Sequence, residues 1–227
     1  MIQISEPINV WDGAARVDTI AASMSSEDRL SVPASRVRRF DAVVMVLGPA
    51  LLVVGWVMLI TNAGRGANDI WALGHGILFV ANAAWVPITL ILIRASGWPV
   101  GVGRDLTFAL ALLGSLTIAG QLAIDLVAWA LSLDGASLSE FFTAIRARPI
   151  LSLTVHAVGP SLLFLGLFLA SVRLRRGHPD LGLGAALVAG GVVVVAVGAV
   201  LTFSLVILGG YVAVLAGFVL IARRVET

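Results

Sequence analysis

The chain has 227 residues, of which 59% are hydrophobic and only 12% are charged, with a formal net charge of +2. Soluble domains carry about a quarter of their residues as charged side chains, so this composition excludes an ordinary soluble protein and indicates an integral membrane protein. The chain has no cysteine, which excludes disulfides, thiolate metal sites and cysteine-held iron–sulfur clusters. All fifteen basic residues are arginine, which also excludes a Schiff-base lysine.

The chain is predicted to be an all-α integral membrane protein, a bundle of six transmembrane helices. Residues 1–39 are polar and lack a continuous apolar stretch, which predicts a largely mobile tail rather than a signal peptide. Residues 40–227 form the predicted transmembrane domain. About 20 apolar residues cross a bilayer as a helix, and this length sets the spans. The predicted spans cover residues of about 40–62, 69–94, 105–133, 150–172, 181–200 and 203–222.

The last two spans are predicted from the uncharged stretch 181–222. A single helix of this length would extend about 63 Å, roughly twice the thickness of the hydrocarbon core. The chain is therefore predicted to turn back near Thr202 and Ser204. Span 5 is rich in glycine, alanine and valine and has no ionisable residue, which indicates close packing against other helices.

The segment between spans 3 and 4 is predicted to contain a short helix near residues 137–146. Its apolar residues recur at helical spacing and fall on one side: Leu138, Phe141, Phe142 and Ile145. Such an amphipathic helix is typical of a segment that lies in the membrane interface. We expect it on the outer side.

The distribution of arginines predicts the orientation. With a cytoplasmic N-terminus, the outer loops hold only Arg65, Arg146 and Arg148, and the other twelve arginines lie inside. Both termini are therefore predicted to be cytoplasmic. The arginines lie at span ends rather than in one patch, so the expected partners are the lipid bilayer and other membrane subunits, not nucleic acid. The exclusive use of arginine is typical of a GC-rich genome. A bacterial inner membrane is the expected location.

Five polar residues inside the spans form the candidate site. His75, Gln121, Asp125 and His156 are predicted in the outer halves of spans 2, 3 and 4, with Asn82 near the midplane. A carboxylate within a membrane helix is costly, so it rarely occurs without a partner or a function. A buried aspartate beside histidines can exchange protons near neutral pH. These residues predict an outward-facing pocket that binds an ion, a proton or a small ligand, in a transport protein or an accessory subunit.

Three other interpretations of the same residues remain open. In the first, a histidine only neutralises Asp125, and the pair joins two helices. In the second, His75, Asp125 and His156 hold a divalent metal such as zinc in a membrane enzyme, supported by Gln121. In the third, His75 and His156 are the axial ligands of a b-type haem. No nucleophile elbow or phosphate-binding glycine motif is present, so no catalytic residue is assigned.

The metal interpretation resembles, in part, the membrane hydrolase superfamily of ceramidases and adiponectin receptors. That group uses three histidines, an aspartate and a serine across seven spans. This chain has no late-helix HxxxH pair and no histidine in span 6, so two ligands are missing and membership is not inferred. Membrane b cytochromes that move electrons across the bilayer resemble one another in having two histidine pairs, and this chain has only one.

Overall fold

The computed structural model describes residues 34–131 and 135–225 of the chain. These residues form helices and turns without a β-strand, and six of the helices are long and apolar enough to cross a membrane. We number the helices α1 Ala34–Thr61, α2 Asp69–Ala95, α3 Val102–Ala130, α4 Gly135–Arg146, α5 Pro149–Gly177, α6 Pro179–Val200 and α7 Ser204–Val225. Residues 1–33, most of the predicted tail, lie outside the described residues.

The six predicted spans correspond to the six long helices, and the predicted short helix corresponds to α4. The ends of four helices differ from the prediction by three residues or more, among them α7, which continues to Val225. Helix α1 begins at Ala34 rather than near Phe40, because arginine and alanine extend a helix as readily as apolar residues do. Helix α5 continues to Gly177 through its arginines, which suit the negative end of the helix dipole. Helix α3 begins at Val102 and ends at Ala130, three residues earlier than predicted at each end.

Successive long helices alternate in direction. The 62–68 loop, helix α4 and the turn at residues 201–203 therefore lie at one end of the bundle, which we call the loop end. The turn agrees with the predicted reversal, because Thr202 has a positive φ of 58°, a left-handed conformation that reverses the chain between α6 and α7.

The 62–68 loop is tied together by two asparagines. The side chain of Asn62 is buried and donates to the carbonyl of Gly66, over 3.3 Å. Asn68 Nδ2 donates to Asn62 Oδ1, over 2.8 Å, and Asn68 Oδ1 accepts from the backbone N–H of Trp71. Asn68 is therefore the N-cap of α2, and it fixes where this helix begins.

Glycines bring two pairs of helices unusually close together. In α6 and α7 they recur at seven-residue spacing and face each other, so that Cβ atoms added at Gly191 and Gly210 would each lie within 2.8 Å of the other helix's backbone. In α3, a Cβ atom added at Gly114 would overlap the backbone of Leu163 in α5. These contacts agree with the packing role predicted for the glycine-rich fifth span.

Candidate functional site

His75 of α2 and Asp125 of α3 form a buried pair. His75 Nε2 lies 3.4 Å from Asp125 Oδ2, and the two side chains are only 9% and 10% exposed. The pair lies toward the loop end of the bundle, two turns inside the start of α2. The sequence predicted both residues at the same depth on neighbouring helices, and the structure brings them together.

The backbone of α2 sets the tautomer of His75. Its Nδ1 lies 2.8 Å from the carbonyl oxygen of Trp71, and a carbonyl only accepts, so Nδ1 carries a proton. In a neutral ring, Nε2 then has only a lone pair, which would face the lone pairs of the Asp125 carboxylate. This approach is favourable only when one further proton lies on the ring or on the carboxyl. The geometry thus suits a pair that shares one further proton.

Trp71 also shapes the surroundings of His75. The two rings are in contact, with centroids 3.8 Å apart and planes inclined by 40°. His75 and Trp71 line a depression of about 370 Å³ at the loop end, together with Asn62 of the loop and Leu138 of α4. His75 is thus the member of the pair that borders this depression.

Asn82 of α2 forms a reciprocal pair with Ser115 of α3. Asn82 Nδ2 donates to the carbonyl of Ser115, over 2.8 Å, and Ser115 Oγ donates to the carbonyl of Asn82, over 3.1 Å. The first bond fixes the amide orientation, because only the nitrogen can donate to a carbonyl. Asn82 Oδ1 is consequently left as an acceptor, and this buried atom has no hydrogen-bond partner among the residues that the structure describes. Asn82 itself is only 2% exposed.

Asn82 lies on the wall of a cavity of about 210 Å³, in the half of the bundle nearer the loop end. Its walls come from all six long helices, so it extends beyond the three spans in which the sequence placed the pocket. The residues that line it are Leu52, Trp56, Leu78, Asn82, Trp85, Ile118, Gln121, Leu122, His156, Pro160, Leu163, Phe164, Val195, Ala199, Ile207 and Tyr211. The wall is thus mostly aliphatic and aromatic, with a few separate polar groups.

His156 reaches this wall from an irregular turn of α5. Pro160 has no N–H, so the α-helical bond to the carbonyl of His156 does not form. The chain instead makes a π turn over Thr154–Val158, which is closed by a bond from the N–H of Gly159 to the carbonyl of Thr154. His156 is exposed, and its Nδ1 lies 3.3 Å from the carbonyl of Ser152. A π turn within an α-helix frequently marks a functional site.

The five predicted site residues therefore separate into two groups. His75 and Asp125 form the buried pair, whereas Asn82, Gln121 and His156 line the cavity. Neither member of the pair is among the residues that line the cavity. Within residues 34–131 and 135–225, no three histidine, aspartate or glutamate side chains lie close enough together to hold a metal ion.

Several residues of the site were not predicted. Ser115 is the partner of Asn82, and Trp56, Trp85 and Tyr211 supply aromatic wall. Tyr211 is the only tyrosine of the chain and lies within an uncharged span, which is the signal in the sequence that singles it out. The spacing of aromatic residues in an apolar stretch does not distinguish residues that line a cavity from residues that face lipid.

A scan against protein-family models and searches of curated proteins and of solved structures give no match to this chain. The site must therefore be interpreted from its own geometry.

Proposed function

We propose that this chain is a multi-pass protein of the cell membrane, with both termini in the cytoplasm, that binds a small ligand in the cavity between its helices. The ligand is either transported or sensed for an associated membrane subunit. Six long apolar helices support insertion. The loop end carries only Arg65, Arg146 and Arg148, and the other arginines of the described residues lie at the opposite end. This asymmetry supports a loop end outside the cytoplasm.

The orientation is tested with reporter fusions. A reporter joined after Gly135, at the start of α4, should be active as an external reporter, and one joined after Thr227 should be active as a cytoplasmic reporter. An even number of spans between the N-terminus and Thr227 places the two termini on the same side, while Gly135 follows the third span. If both fusions report the same side, the six-span topology is wrong.

The observation that carries the ligand proposal is the cavity between the six long helices, with Asn82, Gln121 and His156 among the separate polar groups of a mostly apolar wall. Small-molecule sites are typically concave and mostly apolar, with a few polar groups that fix the orientation of the ligand. The cavity, at about 210 Å³, is larger than an engineered cavity of about 150 Å³ that binds benzene. Its volume thus suits a one- or two-ring molecule.

The geometry supports this function better than the metal and haem interpretations. His156 does not join His75 and Asp125 in a three-ligand group within the described residues. Both ring nitrogens of His75 already face protein oxygens, Trp71 O and Asp125 Oδ2, so neither nitrogen is directed at an open ligand position. The zinc and haem interpretations consequently gain no supporting observation.

Benzofuran tests whether the cavity binds small molecules. The purified full-length protein in nanodiscs should bind it in equilibrium dialysis against protein-free nanodiscs, which correct for partitioning into lipid. At a free concentration of about 100 times Kd, binding would stabilise the protein by about 2.7 kcal/mol. For a chain of this length, this corresponds to a rise of about 5–10 °C in Tm.

A matched pair of variants locates the binding. Ala199 lines the cavity, so Ala199→Leu should occupy part of it and weaken benzofuran binding at least about tenfold. Ala123, which is exposed on α3, is the control, and Ala123→Leu should bind as the wild type does. Absence of benzofuran binding to the wild-type protein, or equal binding to both variants, would contradict a ligand site in this cavity.

A further inference from the structure

Two of the residues that line the cavity are exposed. They are His156 of α5 and Ala199 of α6, and all the other lining residues are buried or half-buried. Helices α5 and α6 follow each other in the chain and are joined by a short turn at the end of the bundle opposite the loop end. The two exposed residues therefore lie on the two sides of one helix boundary, and the cavity opens there.

The packing of α5 agrees with an opening at this boundary. From Gly159 onward α5 packs against α6, whereas its π turn, Thr154–Val158, packs against α3 instead. The two helices are thus in contact near the turn that joins them and separate toward the loop end. His156 lies in the π turn, where the contact with α6 has ended.

Two other boundaries around the cavity are closed by hydrogen bonds between helices. Trp56 Nε1 of α1 donates to the carbonyl of Ser204, the first residue of α7, over 3.1 Å. Between α2 and α3, the reciprocal bonds of Asn82 and Ser115 form a second closure. Trp56 and Asn82 both line the cavity, so these closures lie at its level.

The three remaining boundaries are closed by glycines. At each of them, a Cβ atom added at a glycine would lie within 2.8 Å of a residue that lines the cavity. The pairs are Gly55 with Leu78 between α1 and α2, Gly114 with Leu163 between α3 and α5, and Gly198 with Ile207 between α6 and α7. Among the six described long helices, the boundary between α5 and α6 is thus the one that stays open beside the cavity.

The opening lies at membrane depth. His156 is about 10 Å along α5 from Pro149, and half of the hydrocarbon core is about 15 Å thick. Ala199, close to the end of α6, marks the shallow end of the opening. The exposed apolar side chains on the same stretches of chain are Leu153, Val158, Val197, Val200, Leu201 and Phe203. Such a surface suits contact with lipid chains rather than with water.

We propose that the cavity opens sideways into the bilayer between α5 and α6, and that its ligand is an uncharged, lipid-soluble molecule that enters from the membrane. One end of the molecule lies in the cavity, and the remainder lies among the lipid chains. This inference rests on the proposed function, because it names the ligand class and the route for the same cavity. The wall has no carboxylate and no arginine, so a charged end would lose its hydration without gaining a counter-charge.

The size of the cavity makes the route testable. At about 210 Å³ the cavity suits one or two rings, so a long alkyl chain attached to such a ring must leave through the opening. If the opening faces lipid, the chain stays in an apolar medium and binding is retained. If the opening faces water, or if the cavity is closed, the chain is exposed to water or finds no space, and binding is lost.

Benzofuran and two derivatives, which carry a dodecyl chain on one ring or on the other, test this route. Each displaces radiolabelled benzofuran from the wild-type protein in nanodiscs, and its amount is expressed as a mole fraction of the lipid. We expect the stronger derivative to displace half of the label at a mole fraction within about tenfold of that of benzofuran. A larger loss for both derivatives would overturn the opening into the membrane.

A photolabel locates the opening. The stronger derivative, with a diazirine in the middle of its dodecyl chain, is irradiated in the same nanodiscs with and without excess benzofuran, and labelled residues are identified by mass spectrometry. Labels that benzofuran removes should lie on α5 and α6, in the half of each helix nearer the loop end. Labels of this kind that lie mainly on other helices would overturn the proposed position of the opening.

The outcomes distinguish this inference from the proposed function. If benzofuran binds and both derivatives fail to displace it, the ligand cavity stands and its opening into the membrane is wrong. If benzofuran itself does not bind, the proposed function is contradicted. Each measurement uses the wild-type protein, so none depends on the folding of a variant.

Discussion

Replacing Gly210 by alanine is expected to destabilise the protein strongly, whereas the same replacement at Gly209 is expected to be neutral or stabilising. A Cβ atom at Gly210 would lie 2.7 Å from the backbone nitrogen of Val195 and 2.8 Å from the carbonyl oxygen of Gly191. Both atoms belong to a helix backbone, which cannot move aside as a side chain can. Overpacking of this kind typically costs about 1–3 kcal/mol.

Gly209 is the matched control because it is adjacent on the same helix and has open space around it. Alanine there gains helix propensity, worth up to about 1 kcal/mol, and meets no neighbour. The measurement is Tm in a single detergent, where about 1 kcal/mol shifts a chain of this size by about 2–4 °C. The pair Gly191→Ala and Gly190→Ala repeats the comparison on α6. Equal effects within either pair would show that α6 and α7 do not approach through these glycines.

Gly114→Ala is expected to have the larger effect, because its Cβ atom would overlap the backbone nitrogen of Leu163. Helices α3 and α5 would have to separate to admit the methyl group. Leu163 also lines the cavity, and Leu122 of α3 lines it as well, so separation of the two helices would change the cavity wall. We expect Gly114→Ala to lower Tm by at least about 5 °C and to abolish benzofuran binding.

Gly120→Ala is the control for this prediction, since Gly120 lies on the same helix with no atom near its missing side chain. It should retain the Tm of the wild type within about 2 °C and the same affinity for benzofuran. Size-exclusion profiles of both variants separate a loss of fold from a local change of the cavity. A Gly114→Ala protein with unchanged Tm and unchanged binding would contradict the close α3–α5 contact.

The positions of the helices could be predicted from apolar length, because a bilayer demands about 20 apolar residues per span and the chain supplies six such stretches. The reversal near Thr202 followed from the same arithmetic. The helix ends were predicted less accurately. Arginines near the C-terminus of a helix interact favourably with the helix dipole and with water, so the helix can continue beyond its apolar residues. Helix α5 thus continues beyond its apolar stretch to Gly177.

The candidate site could be predicted only in part. The depth of a residue in the membrane follows from its position along the helix, so it can be predicted from the sequence. The sequence thus placed His75 and Asp125 at the same depth, and the structure shows them in contact. Which residues of neighbouring helices face each other depends on the rotation and tilt of each helix. The depth of a residue in the membrane determines neither of them. Asn82, for example, pairs with Ser115, which no pattern in the sequence singles out as a site residue. The π turn that precedes Pro160 was not predicted.

Because of the π turn in α5, the residues that line the cavity also depend on the number of residues within that turn. An α-helix rotates by about 100° per residue, so one residue more in a turn offsets the two flanking segments by about that angle. Deleting a single residue within Thr154–Val158 would remove this offset and turn Pro149–Leu153 away from its present face. Homologous chains that differ by one residue at this point would keep the same helices but present a different side chain to the cavity in place of His156.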